Sequence, residues 1–282
     1  MHALGIDVPD ALVVHWRAWF APDPQPFLLD AKLARHLGIE RTVAPLPDEL
    51  RDTFEVYALD DGVGVGWLDE AAFMGYPRED RAALVRSQVR RERSLVPTVR
   101  SCPGHVRARA RAQADGHRFV WWPTLLDRHD DVLLAYVEEG RRASRHDDVP
   151  SAVWDRIEGR LPGARGLAGT FPALSGPNCF GTVMAAAGTE GAADIWMLRE
   201  PFEEWLTAST QPGGDDNDSG TVLVWRSPDG LVQHAAITLG DGWALHKPSQ
   251  GWMSPRKVLG LADVKRSARA PGRRLERHQL TL

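Results

Sequence analysis

Leu231-Val-Gln-His-Ala-Ala-Ile-Thr-Leu-Gly-Asp-Gly-Trp-Ala-Leu-His246 reads as two β-strands joined by a tight turn. Apolar and β-branched residues dominate the first arm, and Gly240-Asp-Gly242 tolerates the positive φ angles that a short hairpin turn demands. Side chains alternate along a strand. Val232, His234, Ala236 and Thr238 are therefore expected on one face, with Ala235, Ile237 and Leu239 on the other. Closing the hairpin about Gly240-Asp-Gly242 brings His234 and His246 together at its open end. One histidine of such a pair can orient the ring of the other through its second nitrogen.

The flanking sequence extends this hairpin into a sheet. Thr221-Val-Leu-Val-Trp225 reads as a preceding strand, separated by the turn Ser227-Pro-Asp-Gly230, and residues 257–265 and 274–282 read as two later ones. Upstream, residues 211–220 form an exposed acidic loop rich in Gly and Asp. Residues 201–208 suggest a helix with Pro201 in its first turn. The uninterrupted apolar run 178–187 reads as a helix that begins at Cys179 and stops at Gly188. Helices first and antiparallel strands after give an α+β fold.

Cys179 at a helix start has the chemistry of a nucleophile. The positive end of the helix dipole and the free N–H groups there favour a thiolate, and the Cys179 N–H is placed to donate to a developing oxyanion. His234 is the expected base, and His246 the residue that fixes its tautomer and orientation. Asn178 and Phe180 beside the cysteine, and Trp243 and Trp252 around the His246 hairpin, are the expected substrate-facing residues.

Asn178-Cys-Phe-Gly-Thr-Val-Met184, Gly220-Thr-Val-Leu-Val-Trp225 and the His234–His246 segment together resemble the NlpC-type peptidases. These are a compact papain-like branch that cleaves peptide bonds in bacterial cell-wall peptides. The family pattern has a helix-capping cysteine, then a histidine strand, then a third polar residue twelve positions after the histidine, the interval separating His234 from His246. The resemblance covers about residues 161–282 and implies a papain-like catalytic domain in which a Cys-bearing helix packs on an antiparallel sheet. Two departures stand out. The family's Asp-Cys-Ser-Gly is Asn178-Cys-Phe-Gly181 here, and its tyrosine about twelve residues before the cysteine falls near Leu167. The contacts that hold a substrate's free amine are therefore not carried over.

The implied activity is that of a cysteine peptidase or amidase, cleaving an amide or peptide bond in a small peptide-like substrate through a thioester. Two alternatives use the same residues: an acyl- or peptidyl-transferase of a tailoring pathway, and an inactive papain-like shell serving as a binding module.

The other residues exclude much and assign little. The chain has 282 residues, 43% hydrophobic and 26% charged, within the range of soluble globular proteins. A net charge of −4 gives no drive towards nucleic acid. Two cysteines without a Cys-x-x-Cys pair build neither a disulfide framework nor a zinc site. Cys102 reads as structural, His105 as part of a Pro-Gly turn, and no histidine spacing argues for a metal, so no cofactor and no metal are expected. With no signal-like leader and no apolar run long enough to span a membrane, the reading is of a cytoplasmic protein without membrane contact.

Residues 1–160 are expected to form an α/β domain of their own, covering one side of the catalytic cleft, with the boundary at Leu161-Pro-Gly163. Within it, residues 26–37 and 79–94 read as helices and residues 151–160 as a short capped one. Residues 54–59 and 63–67 read as a hairpin about Asp60-Asp-Gly62, residues 119–122 as a strand, and residues 131–139 as either helix or strand. Ten arginines against two acids between Arg81 and Arg118 read as a solvated surface or as a site for an anion.

Overall fold

The computed structural model describes residues 1–281 apart from residues 45, 58, 60, 61 and 128. The fold is α+β and divides into two compact units: Pro9–Tyr136, and Met1–Val8 together with Val137–Leu282. The division falls after Tyr136, not near 160. Leu161-Pro-Gly163 does end the helical stretch that begins with Ser151–Ile157. However, Val153, Trp154, Ile157 and Leu161 bury into the same core as the Cys179 helix, so this turn lies inside the larger unit.

That unit is organised by a six-stranded sheet in the spatial order Thr210–Pro212, Arg274–Leu280, Ser219–Arg226, Val232–Gly240, Trp243–His246, Lys257–Gly260. All of its pairings are antiparallel. The strands expected from the sequence form, with one exception. Residues 257–265 divide into the strand Lys257–Gly260 and the helix Leu261–Ala268, whose Leu261, Val264 and Ala268 are buried. Spacing of three and four residues between these apolar positions suits a helix face rather than a strand.

Each face of the sheet carries a core. On one, Val222, Val224, Ala235, Ile237, Leu239 and Leu245 pack against the Cys179–Ala186 helix. On the other, Leu223, Trp225, Ala236, Ala244 and Leu259 pack against the Leu261–Ala268 helix. Strands buried on both sides explain why this half of the sequence reads as near-continuous apolar runs. No helix among the described residues is long and apolar enough to cross a membrane.

The Pro9–Tyr136 unit is mainly helical, and its sheet among the described residues is a single antiparallel pair, Gln25–Asp30 with Val63–Leu68. Several expectations change here. Residues 26–30 are strand, and Asp30 caps the helix Ala31–Leu37 by accepting from the Leu33 N–H. The described residues of 54–59 form no strand, and Val63–Leu68 pairs with Gln25–Asp30 instead. The turn residues 60 and 61 lie outside the described residues. Residues 119–122 are buried but sit in no sheet, and residues 131–139 resolve as the helix Asp130–Glu138. The basic helix forms as Arg78–Arg90.

Many of the clustered arginines hold the irregular backbone together. Arg81 donates to Gln113 O and Tyr76 O, Arg93 to Pro26 O, Arg107 to Cys102 O and Arg118 to Val96 O. A loop-rich unit leaves carbonyls without ladder partners, and the guanidinium fork satisfies them. Neither a purely solvated surface nor an anion site accounts for these side chains.

Candidate active site

The helix Cys179–Ala186 begins where expected because Asn178 caps it. The Asn178 Oδ1 accepts from the Phe180 and Gly181 N–H groups at 3.1 and 3.2 Å, and its Nδ2 donates to Met197 O at 2.7 Å. Gly181 then lets the helix approach the neighbouring chain. A Cβ at that position would lie 2.1 Å from Ala192 O, far inside contact distance. The Cys179 N–H rests against its own sulfur, at the helix end where a ligand oxygen would approach.

The hairpin also forms, with Gly240, Asp241 and Gly242 all at positive φ. Its ladder pairs Ile237 with Leu245 and Thr238 with Ala244 and extends no further towards the open end. There, as expected, His246 Nδ1 comes within 3.5 Å of His234 Nε2, with the rings edge-to-face. This contact leaves His234 Nδ1 available to a substrate or a thiol. His246 Nε2 is buried without a partner, the kind of polar atom that marks a site awaiting water or ligand.

The thiol and the imidazoles do not meet directly. No hydrogen bond joins Cys179 to either histidine. Cys179 belongs to the core that contains Ala235, whereas His234 lies against Trp225, its cross-strand partner, on the opposite face. The Cys179 sulfur is instead met by the N–H of Ala235, the residue directly after His234. One further expectation fails here. Val232 points to the Cys179 core and not to the His234 face. The pairing runs Trp225 to His234 and then Arg226 to Val232, so Gln233 is an extra residue that flips the alternation.

Burial governs the electrostatics. It drives the Cys179 thiol up to about 11, against hydrogen bonding from Ala235 N–H and the charge of Lys247, which lower it. A helix-start position was expected to favour the thiolate, but a short dipole and a few N–H groups do not offset full desolvation. Burial, aided by the charge of Arg273, lowers His234 to about 4. Burial, with His234 and Lys257 nearby, holds His246 well below the ordinary histidine value. The resting site therefore holds a neutral thiol and two neutral imidazoles near pH 7.

No family model, no curated protein and no solved structure matches this chain. The chemistry of the site rests on its own geometry.

The remaining expected residues divide. Asn178 has both side-chain ends committed to the cap, which makes it a structural residue rather than a substrate contact. Phe180 stacks on Phe202 with centroids 4.6 Å apart and is buried in the core. Trp252 is fully buried, with its backbone N–H on Ser175 Oγ, and faces no substrate. Trp243 is part-exposed, with the Arg145 guanidinium 4.8 Å from its ring centre. Cys102 is buried and its thiol is raised by that burial, in keeping with a structural role.

Two residues at the site were not singled out from the sequence. Trp225 walls the His234 ring at 5.4 Å. Lys247 is fully buried, its ammonium donating to Ser249 O and Gly251 O, and its charge reaches Cys179. Strand alternation beyond His246 is the signal that would have found it, since residue 247 returns to the face of Cys179.

Proposed function

We propose that the unit formed by Met1–Val8 and Val137–Leu282 is a papain-like, NlpC-type cysteine hydrolase that cleaves an amide or peptide bond in a small peptide-like substrate. The observation that carries this reading is the joint placement of three groups. The capped helix end presents the Cys179 thiol to the Ala235 N–H, the residue before Ala235 is His234, and His246 backs that imidazole at 3.5 Å.

In the proposed cycle, His234 Nδ1 takes the proton of Cys179 as the sulfur attacks the carbonyl carbon. The Cys179 N–H, which rests against its own sulfur, turns to the oxyanion as the sulfur bonds to carbon. Collapse of the tetrahedral intermediate breaks the C–N bond, and His234 returns the proton to the leaving amine. Water then attacks the thioester, again deprotonated by His234, and frees the acid and the thiol. His246 holds the His234 ring through Nε2. Because Cys179 and His234 lie on opposite faces of the sheet, the cycle requires the strand beside the Gln233 bulge to rearrange when substrate binds. An amine in place of water makes the same site an acyl transferase.

A second reading is favoured by one observation: Cys179 and His234 belong to opposite faces of the sheet without a bond between them. In that reading the unit is an inactive shell that binds a partner. Turnover of a fluorogenic peptide-amide panel by the wild type, Cys179→Ala and His234→Ala separates the two. Hydrolysis lost in both variants is expected. Absence of any acyl-enzyme in the wild type by intact mass, or activity that survives Cys179→Ala, would overturn the proposal.

A further inference from the structure

Two histidines that share no sequence motif are brought together by the fold. His105 and His129 have ring centroids only 3.7 Å apart, inclined at 42°. Asp131 joins them, and one ligand atom from each of the three lies within 4.8 Å of the others. Aromatic rings that attract through their faces and edges settle at about 4.5–7 Å, so this imidazole pair is closer than ring packing alone provides. No hydrogen bond links any two of the three side chains, and no ion pair joins Asp131 to either histidine. Three lone-pair donors therefore converge on a common point without satisfying one another.

The backbone supports that convergence. His129 stands immediately before the helix Asp130–Glu138, with its N–H on Leu126 O and its carbonyl accepting from the Val132 N–H. His105 sits in the turn closed by the Val106 N–H on Pro103 O, just ahead of the helix Arg107–Gln113. The two consecutive aspartates differ in use. Asp130 is neutralised by Arg17 in a paired contact at 2.8 and 2.6 Å, whereas among the described residues no arginine or lysine pairs with Asp131. The cluster therefore offers two imidazoles and one carboxylate that no arginine or lysine among the described residues pairs with.

We propose that His105, His129 and Asp131 bind a divalent transition-metal ion of the Zn²⁺ type. Imidazole nitrogen with a single carboxylate selects such ions over Mg²⁺ or Ca²⁺, which prefer oxygen ligands. Ligand atoms about 3.3 Å apart surround a tetrahedral zinc with bonds of about 2.0–2.1 Å, so side-chain movements of about an ångström complete the site. Three protein ligands leave one coordination position for water or an external donor. The site lies within Pro9–Tyr136 and owes nothing to the cysteine chemistry proposed above.

Isothermal titration of untagged, chelator-treated full-length protein with ZnCl₂ tests this directly. One equivalent is expected to bind the wild type, with affinity at least about tenfold weaker in His105→Ala and in His129→Ala. Cys179→Ala is expected to bind as the wild type does. X-ray absorption of the zinc-loaded wild type is expected to show two imidazoles in the first shell, which decides the matter even if a variant folds poorly. No stoichiometric binding, binding unchanged in the His105→Ala/His129→Ala protein, or a sulfur ligand in the absorption spectrum would overturn the proposal.

Discussion

His246 Nδ1 lies 3.5 Å from His234 Nε2, although the ladder joining their strands ends at Ile237 and Leu245. The two imidazoles thus meet where the backbones have stopped pairing, in a buried fork of the sheet. The Ala235 N–H faces the Cys179 sulfur from the same region. A neutral imidazole pair in such a place has consequences for stability as well as chemistry.

The first concerns acid. His234 titrates near 4 in the folded chain, below the ordinary value of 6.5, because burial disfavours its charged form. Between those pH values the unfolded chain binds a proton that the folded chain does not, so stability rises with pH across that window. The contribution is complete above about pH 6.5 and lost as pH falls towards 4, and it amounts to about 3 kcal/mol. Urea midpoints measured from pH 4.5 to 7.5 should show this slope. His234→Gln should reduce it, leaving the part that the buried His246 contributes, and an unchanged slope would show that the His234 imidazole is not held neutral.

Helix capping gives the second. Asn178→Ala removes the acceptor for two N–H groups and the donor to Met197 O. Loss of about 1–2 kcal/mol of stability is expected, measured by urea unfolding. Asn178→Asp should lose less, since a carboxylate still accepts from Phe180 and Gly181 and suits the helix N-terminus.

Close approach gives the third. Gly181→Ala places a methyl group 2.1 Å from Ala192 O, and a backbone oxygen has no flexible end with which to yield. A cost of about 2–3 kcal/mol is expected, with a fall in melting temperature. A variant as stable as the wild type would show that the helix is less closely packed there.

Much of the sheet-bearing unit was legible because its signals are local. The Gly240-Asp-Gly242 turn, the Asn178 cap and the alternation from His234 onward each fix structure within a few residues. What escaped depended on pairing or packing. Gln233 becomes a bulge only through its register with the Ser219–Arg226 strand, so the side to which Val232 turns could not be read from alternation. The burial that raises Cys179 comes from residues distant in the chain, which is why the helix start alone suggested the opposite shift. In the Pro9–Tyr136 unit, Val63–Leu68 chose Gln25–Asp30 over its sequence neighbour, a non-local pairing with no turn signal to announce it. His105 and His129 meet in the same way, across a stretch of chain that no motif spans.

The pH dependence of labelling at Cys179 by a peptidyl chloromethyl ketone, which fills the substrate site as it alkylates, read by peptide mass spectrometry, tests the nucleophile and its base most directly. If His234 serves the thiol, the wild-type rate is flat from pH 5.5 to 8, between the imidazole near 4 and the thiol near 11. In His234→Ala it should climb about tenfold per pH unit, as the thiolate fraction of an unassisted thiol does. A wild-type rate that climbs in step with the variant would contradict the assignment of Cys179 and His234 as a working pair.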